Sequence, residues 1–134
     1  MKNLLFIILT LIIFSCNPQV ELNGKYQIVD FRMTQEFLKD TTGRNQLISL
    51  LDASDYKFDF SPENSTVTME PKFGMRYFGD TLFKYTIQPK FIALNGPNSK
   101  INLEYKNDNG IIRLLVKKED IELFSIIPAK LKSE

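Results

Sequence analysis

Histidine and tryptophan are absent from this chain of 134 residues, and cysteine occurs once. Without histidine, the chain lacks the side chain that most often serves as a general base near neutral pH and most often holds a metal. A lone cysteine cannot close an intramolecular disulfide, so no covalent staple supports the fold. Neither sign of charge is in excess, with 17 basic against 16 acidic residues. That balance leaves no basic stripe of the kind that tracks a nucleic-acid backbone. Nor does it leave a polybasic patch to hold an anionic membrane surface. No nucleic-acid partner, metal or cofactor is expected, and membrane contact has to come by another route.

Catalytic motifs are equally sparse. No Gly-x-Ser-x-Gly elbow is present. Ser54 and Lys57 have the Ser-x-x-Lys spacing, but the companion motifs of that chemistry are missing. The pair also enters a strand-like stretch, where residues three apart point to opposite faces. Asp52, Asp55 and Asp59 could be read as an acidic site, yet Asp55 and Asp59 alternate with apolar neighbours and belong on a wet face. Lys106 to Gly110 lacks the later glutamate and the full spacing of a calcium loop. The chain is not expected to be an enzyme.

Only one long hydrophobic run exists. Leu4 to Phe14 is apolar apart from Thr10, with Lys2 ahead of it. As a helix it would cover about 16 Å, roughly half of a bilayer core, which suits a signal-peptide core and not a transmembrane anchor. The run ends in Ile13-Phe14-Ser15-Cys16. This resembles the lipobox of bacterial lipoproteins, with Phe14 bulkier than the commonest residue at its place. The resemblance implies removal of residues 1–15, a palmitate-type acyl anchor on Cys16, and a place in the cell envelope. The expected address is the outer membrane of a Gram-negative bacterium, and the style resembles lipoproteins of the Bacteroidetes. Two or three acyl chains hold a membrane where one would leave. Residues 16–22 form a tether that reaches at most about 20 Å, so the domain sits close to the bilayer.

Removing residues 1–15 leaves 119 of the 134 residues, with 16 basic against 16 acidic. One domain, residues 23–134, is the natural division for that length. Eight strand-like stretches follow at near-regular spacing: Gly24 to Met33, Asp55 to Phe60, Ser65 to Glu70, Asp80 to Gln88, Phe91 to Asn95, Lys100 to Tyr105, Ile111 to Lys117, and Ile121 to about Ile127. Such a series argues for a barrel or sandwich. Asn109-Gly110 is the strongest hairpin signal. Lys72 to Phe78 reads as an extension of the third strand past a bulge at Pro71, because Phe73, Met75 and Tyr77 keep a period of two. A mobile flap at a barrel mouth, or a partner-binding edge, is the other reading of Pro71 to Gly79.

Thr34 to Ser54 breaks the strand rhythm. Thr34 can cap a helical turn over Gln35 to Lys39, and Gly43 interrupts. Leu47, Leu50 and Leu51 recur at helical spacing beside Ile48. A short helix is expected there, docked on the barrel. The strand at Ile111, Ile112, Leu114 and Leu115 is apolar on both faces, as if that helix covered its outside.

Leu22-Asn23-Gly24-Lys25-Tyr26 resembles the opening of lipocalin-like domains, with Tyr26 where tryptophan is usual. Tyr56 to Phe60, Ser65 to Thr68, Phe83 to Ile87 and Ile121 to Phe124 follow the strand rhythm of that family, and the tail Lys130 to Lys132 comes after it. The resemblance implies an all-β fold: a small antiparallel eight-stranded barrel with one short helix between strands one and two. It carries over no ligand residue. Tyr56, Phe58, Phe60, Met69, Phe83 and Tyr85 are the candidates to line an interior cavity. Two functions stay open for a monomer of this kind. One is a membrane-anchored, non-catalytic binding module for a small apolar ligand. The other is a protein-interaction module, such as a protease inhibitor or envelope-complex subunit, with a filled barrel.

Overall fold

The computed structural model describes residues 20–52, 56–118 and 120–129. The expected leader, Cys16, the first residues of the tether, the start of the second strand at Asp55, Ser54 of the Ser-x-x-Lys spacing and the tail from Lys130 lie outside the described residues. Eight strands follow in chain order: β1 (Gly24–Met33), β2 (Phe58–Ser61), β3 (Thr66–Met69), β4 (Leu82–Ile87), β5 (Phe91–Asn95), β6 (Lys100–Asp108), β7 (Ile111–Leu115) and β8 (Ile121–Pro128). Each pairs antiparallel with the next, and β8 returns to β1, closing a barrel.

The alternation of the sequence sets the register. Phe58 faces Met69, Phe60 faces Val67, and Val67 in turn faces Phe83. Tyr85 faces Leu94, Ile92 faces Leu103, and Tyr105 faces Leu114. All of these are buried. A slip of one residue would turn each set to water, so the inner face fixes the pairing. Asn109 and Gly110 take φ of 51° and 91°, the left-handed pair that a tight hairpin between β6 and β7 requires. The Asn107 side chain accepts from the Gly110 N–H at 3.2 Å, which confirms a hairpin at that loop.

Antiparallel order gives the barrel two distinct ends. One receives the chain at Val20 and Leu22, both buried just ahead of β1. The other carries both helices. There the Thr34 hydroxyl accepts from the Phe37 N–H at 3.4 Å and starts a 3-10 turn over Phe37–Lys39. The Asp40 carboxylate then accepts from the Gly43 N–H at 3.1 Å, opening helix α1 (Thr41–Asp52). Gly43 therefore does not interrupt the helix. It sits in the first turn, where its N–H has no intrahelical partner and a side-chain cap supplies one. Leu47 and Leu51, four residues apart, are buried in the core. The helix lies against the 3-10 turn and a second helix. It does not blanket the outside of β7, where Ile111 remains exposed.

That second helix corrects the expected bulged strand. Pro71–Tyr77 forms α2. Pro71 is suited to the first helical position because its missing N–H has no partner there anyway. Glu70 caps the end by accepting from the Lys72 and Phe73 N–H groups. At the other end Phe78 and Gly79 both donate to the Gly74 carbonyl, and Gly79 takes φ of 79°, the left-handed exit that glycine permits. In a helix Phe73 and Tyr77 share one face and Met75 points away. The apparent period of two is a helical i, i+4 pair.

Lys57 is the other departure. Strand alternation counted back from Asp59 puts it on the wet face, yet it is 1% exposed. β2 begins only at Phe58, so strand alternation does not extend to Lys57. Its backbone is held on both sides: its N–H donates to the Tyr26 carbonyl, and its carbonyl accepts from the Glu70 N–H.

Candidate functional site

Five of the six candidate cavity residues come together. Phe58, Phe60, Met69, Phe83 and Tyr85 are buried on the inner face. Tyr56 stands apart, half-buried, with the Lys25 ammonium 4.6 Å above its ring. Lys25 faces outward beside the inward Tyr26, as adjacent strand residues must. The five are not left to line an empty vessel, because α2 inserts its own rings among them. Phe73 lies 5.3 Å from Phe58 and 5.3 Å from Phe124, and Phe78 lies 6.0 Å from Phe58 and 6.4 Å from Phe83, centroid to centroid. These are packed edge-to-face and tilted spacings. An eight-stranded barrel is just wide enough to be filled in this way.

Polar groups fasten the plug. Asp120, in the β7–β8 turn, accepts from the Arg76 guanidinium at 2.7 Å and from the Tyr77 hydroxyl at 3.1 Å, both on the same oxygen. Its backbone carbonyl accepts from the Thr34 N–H at 2.9 Å. Asp80, just after α2, accepts from the backbone and side-chain N–H groups of Asn98, each at 3.0 Å. So α2 is tied to the β7–β8 turn on one flank and to the β5–β6 turn on the other.

Burial, followed by the Asp120 negative charge, raises the Tyr77 phenol far above its ordinary value. Burial also raises Tyr85 and Tyr105. The sign of the consequence is fixed. Below pH ~10, the ordinary tyrosine value, both the folded and the unfolded chain keep these phenols neutral. Above it the unfolded chain loses protons that the folded chain retains, so stability falls as pH rises, by up to about 1.4 kcal/mol per pH unit per tyrosine. Denaturant unfolding at pH 8 and pH 11 is expected to show that fall, with a shallower slope in Tyr77→Phe. A phenolate absorbance titration in which all five tyrosines ionise at the ordinary value would contradict it.

Two hollows open at the helical end. One is a slot of about 180 Å³ with Tyr77 and Phe78 beside it, bounded by residues 101–104 of β6, by Leu115 at the end of β7 and by residues 116–118 after it. The other is a shallower depression of about 440 Å³ that shares Leu115, Lys117 and Lys118 and adds Arg32, Glu122 and Leu123. Large apolar side chains stand exposed at the same end: Met75 on α2 (58%), Leu82 at the start of β4 (51%) and Leu38 in the 3-10 turn (43%). Of these, only Met75 falls in a segment that the sequence singled out, Pro71 to Gly79; the two hollows, Leu38 and Leu82 were not singled out as a site. The signal that could have found them is Pro71 followed by Phe73 and Tyr77, a capped helix start with an i, i+4 aromatic pair. Among the described residues, no cluster of acidic, cysteine or histidine side chains could hold a metal, and no helix is long and apolar enough to cross a membrane. No protein family, curated protein or solved structure matches this chain.

Proposed function

We propose that this chain is a non-catalytic envelope lipoprotein, anchored by an acylated Cys16, whose lipocalin-like barrel is a filled scaffold that presents its helical end to a partner protein. The carrying observation is the plug. α2 places Phe73, Tyr77 and Phe78 inside and leaves Met75 outside, with Leu38 and Leu82 exposed at the same end. Filling the barrel removes the room that an apolar cargo would need. Among the described residues, three of the five exposed large apolar side chains stand at this end, the others being Val29 and Ile111, and exposed apolar side chains gathered on one face suit a protein partner. The orientation agrees with this reading. The chain enters at the opposite end, four residues after Cys16, so a lipid there holds that end against the bilayer and turns the helices away from it.

The test uses the full chain in its host. A photo-crosslinking residue replaces Met75 at the helical end, or Asn109 at the opposite end. A discrete higher-mass adduct in the membrane fraction is expected from position 75 and not from position 109. Adding Cys16→Ala should move both the chain and the adduct out of that fraction. Adducts from neither position, or equally from both, would end the interaction reading. Retention of the Cys16→Ala chain on the membrane would end the anchor.

A further inference from the structure

The slot beside Tyr77 and Phe78 exists because two neighbouring strands part company. β6 pairs with β7 from Asp108 up to Glu104, opposite Leu115. Continued pairing would set Leu103 against Val116 and Asn102 against Lys117. Instead Val116 and Lys117 both turn their N–H groups to the Glu122 carbonyl, at 3.0 and 3.4 Å. Lys117 takes φ of 53° to make that turn. The chain peels toward β8, while β6 continues to Lys100, paired only with β5. Along an antiparallel strand, successive residues aim their backbone groups to opposite sides. The Tyr105 N–H donates to the Lys90 carbonyl across the β5 side. Asn102, an odd number of residues away, therefore aims its N–H and carbonyl into the slot, where no strand among the described residues faces it. This is an open strand edge set in a barrel wall, and open edges are templates for another chain.

We infer that this slot is a docking site for an extended peptide with a free terminal carboxylate. The peptide adds as a short strand beside Asn102, seats one apolar side chain against Phe78 and Leu103, and presents its carboxylate to the cations of the adjoining depression. Three observations select that ligand. The edge offers one donor and one acceptor at strand spacing, which a backbone matches and a hydrocarbon cannot. The slot, at about 180 Å³, is smaller than the roughly 300–1,000 Å³ of drug-sized ligand pockets, so it takes a side chain and not a whole lipid. The rim carries Lys117 and Lys118, with Arg32 in the depression beyond, against Glu104 and Glu122. Lys117 is held by Glu104 only at 4.0 Å, with both side chains mostly in water. Such a pair is worth little and can give way to a guest carboxylate. Strand addition with backbone pairing for affinity and a pocket for selectivity is an established mode of peptide capture.

The inference deepens the interaction reading and rests on it only for the partner in the cell. Its test is separate. The full chain in detergent micelles is applied to an array of random octapeptides with free carboxy termini, and to the same array amidated. Retention is expected on the free-carboxylate array alone, with slowed hydrogen exchange at the Asn102 amide in the presence of a retained peptide. Asn102→Pro removes the slot's donor at a position open on that side. The pair Lys117→Gly and Lys118→Gln removes the cations, and glycine suits the left-handed turn. Each change should weaken binding at least about tenfold, the loss of one good polar contact. Lys106→Gln, on β6 near the opposite end, should leave binding unchanged. If Asn102→Pro does not fold, the lysine pair and the Asn102 exchange rate decide. Equal retention on the amidated array, or binding indifferent to the lysine changes, overturns the inference. A Met75 adduct in cells without carboxylate preference on the array removes the peptide site and leaves the interaction module. Carboxylate-dependent capture without that adduct does the reverse.

Discussion

Phe73→Ala is expected to lower the stability of the domain by about 3–5 kcal/mol, the range for a large buried aromatic cut back to a methyl group. The side chain is fully buried and sits where four rings meet, 5.3 Å from Phe58, 5.4 Å from Tyr77, 5.8 Å from Phe78 and 5.3 Å from Phe124. Its neighbours are held by the barrel and by Asp120, so they cannot collapse into the space. The loss therefore includes a cavity contribution as well as lost transfer energy. Domains of this kind have about 5–15 kcal/mol in total, and a large part of it would go. The companion change on the same helix, Met75→Ala, should stay within about 0.5 kcal/mol, since Met75 points into water. Urea unfolding measures both. Benzene offers a second readout, because a dry apolar void binds it: it should stabilise the Phe73→Ala variant and leave the parent chain unchanged. Equal costs for the two substitutions would mean that α2 does not plug the barrel.

That expectation depends on a helix that the sequence concealed. Phe73, Met75 and Tyr77 satisfy a period of two, but Phe73 and Tyr77 also satisfy a helical step of four, and a short segment cannot decide between the periods. Punctuation could have decided it. Pro71 removes a donor that a strand needs and a first helical turn does not, and Gly79 supplies the left-handed exit. The strands were easier to read because their inner residues repeat across neighbours. Phe58, Phe60, Val67, Met69, Phe83 and Tyr85 form one continuous face only if the register is correct. The Asn109-Gly110 hairpin and the Leu47–Leu51 face of α1 were legible for the same reason, a local pattern agreeing with the global one. Lys57 was not, because its burial follows from where β2 begins and from two backbone bonds to distant segments. The slot beside β6 was hidden too. It arises from the turn at Lys117, where a non-glycine residue takes a left-handed conformation that no motif announces.

Asp120→Ala is the second substitution with a large expected cost, about 2–3 kcal/mol, and its origin is distinct from that of Phe73. One carboxylate oxygen holds both Arg76 and Tyr77. The Arg76 side chain is 45% exposed, so water replaces most of what it loses, and its share stays near the 0–1 kcal/mol of surface pairs. Tyr77 has no such recourse. Its hydroxyl is buried and donates to Asp120 among the described residues, so removing that acceptor costs about 1–3 kcal/mol. Arg76→Ala should therefore cost less than about 1 kcal/mol. Asp120→Asn, which keeps an acceptor for the phenol, should recover much of the Asp120→Ala loss. Tyr77→Phe should also be mild, since it removes the stranded donor together with its need. A double-mutant cycle between Tyr77→Phe and Asp120→Ala isolates the coupling, and hydrogen exchange at the Phe78 and Gly79 amides reports the hold on α2. If Arg76→Ala proves as costly as Asp120→Ala, the plug is fastened by the surface ion pair. If the Phe78 and Gly79 amides keep their protection in Asp120→Ala, the buried rings alone keep α2 in place.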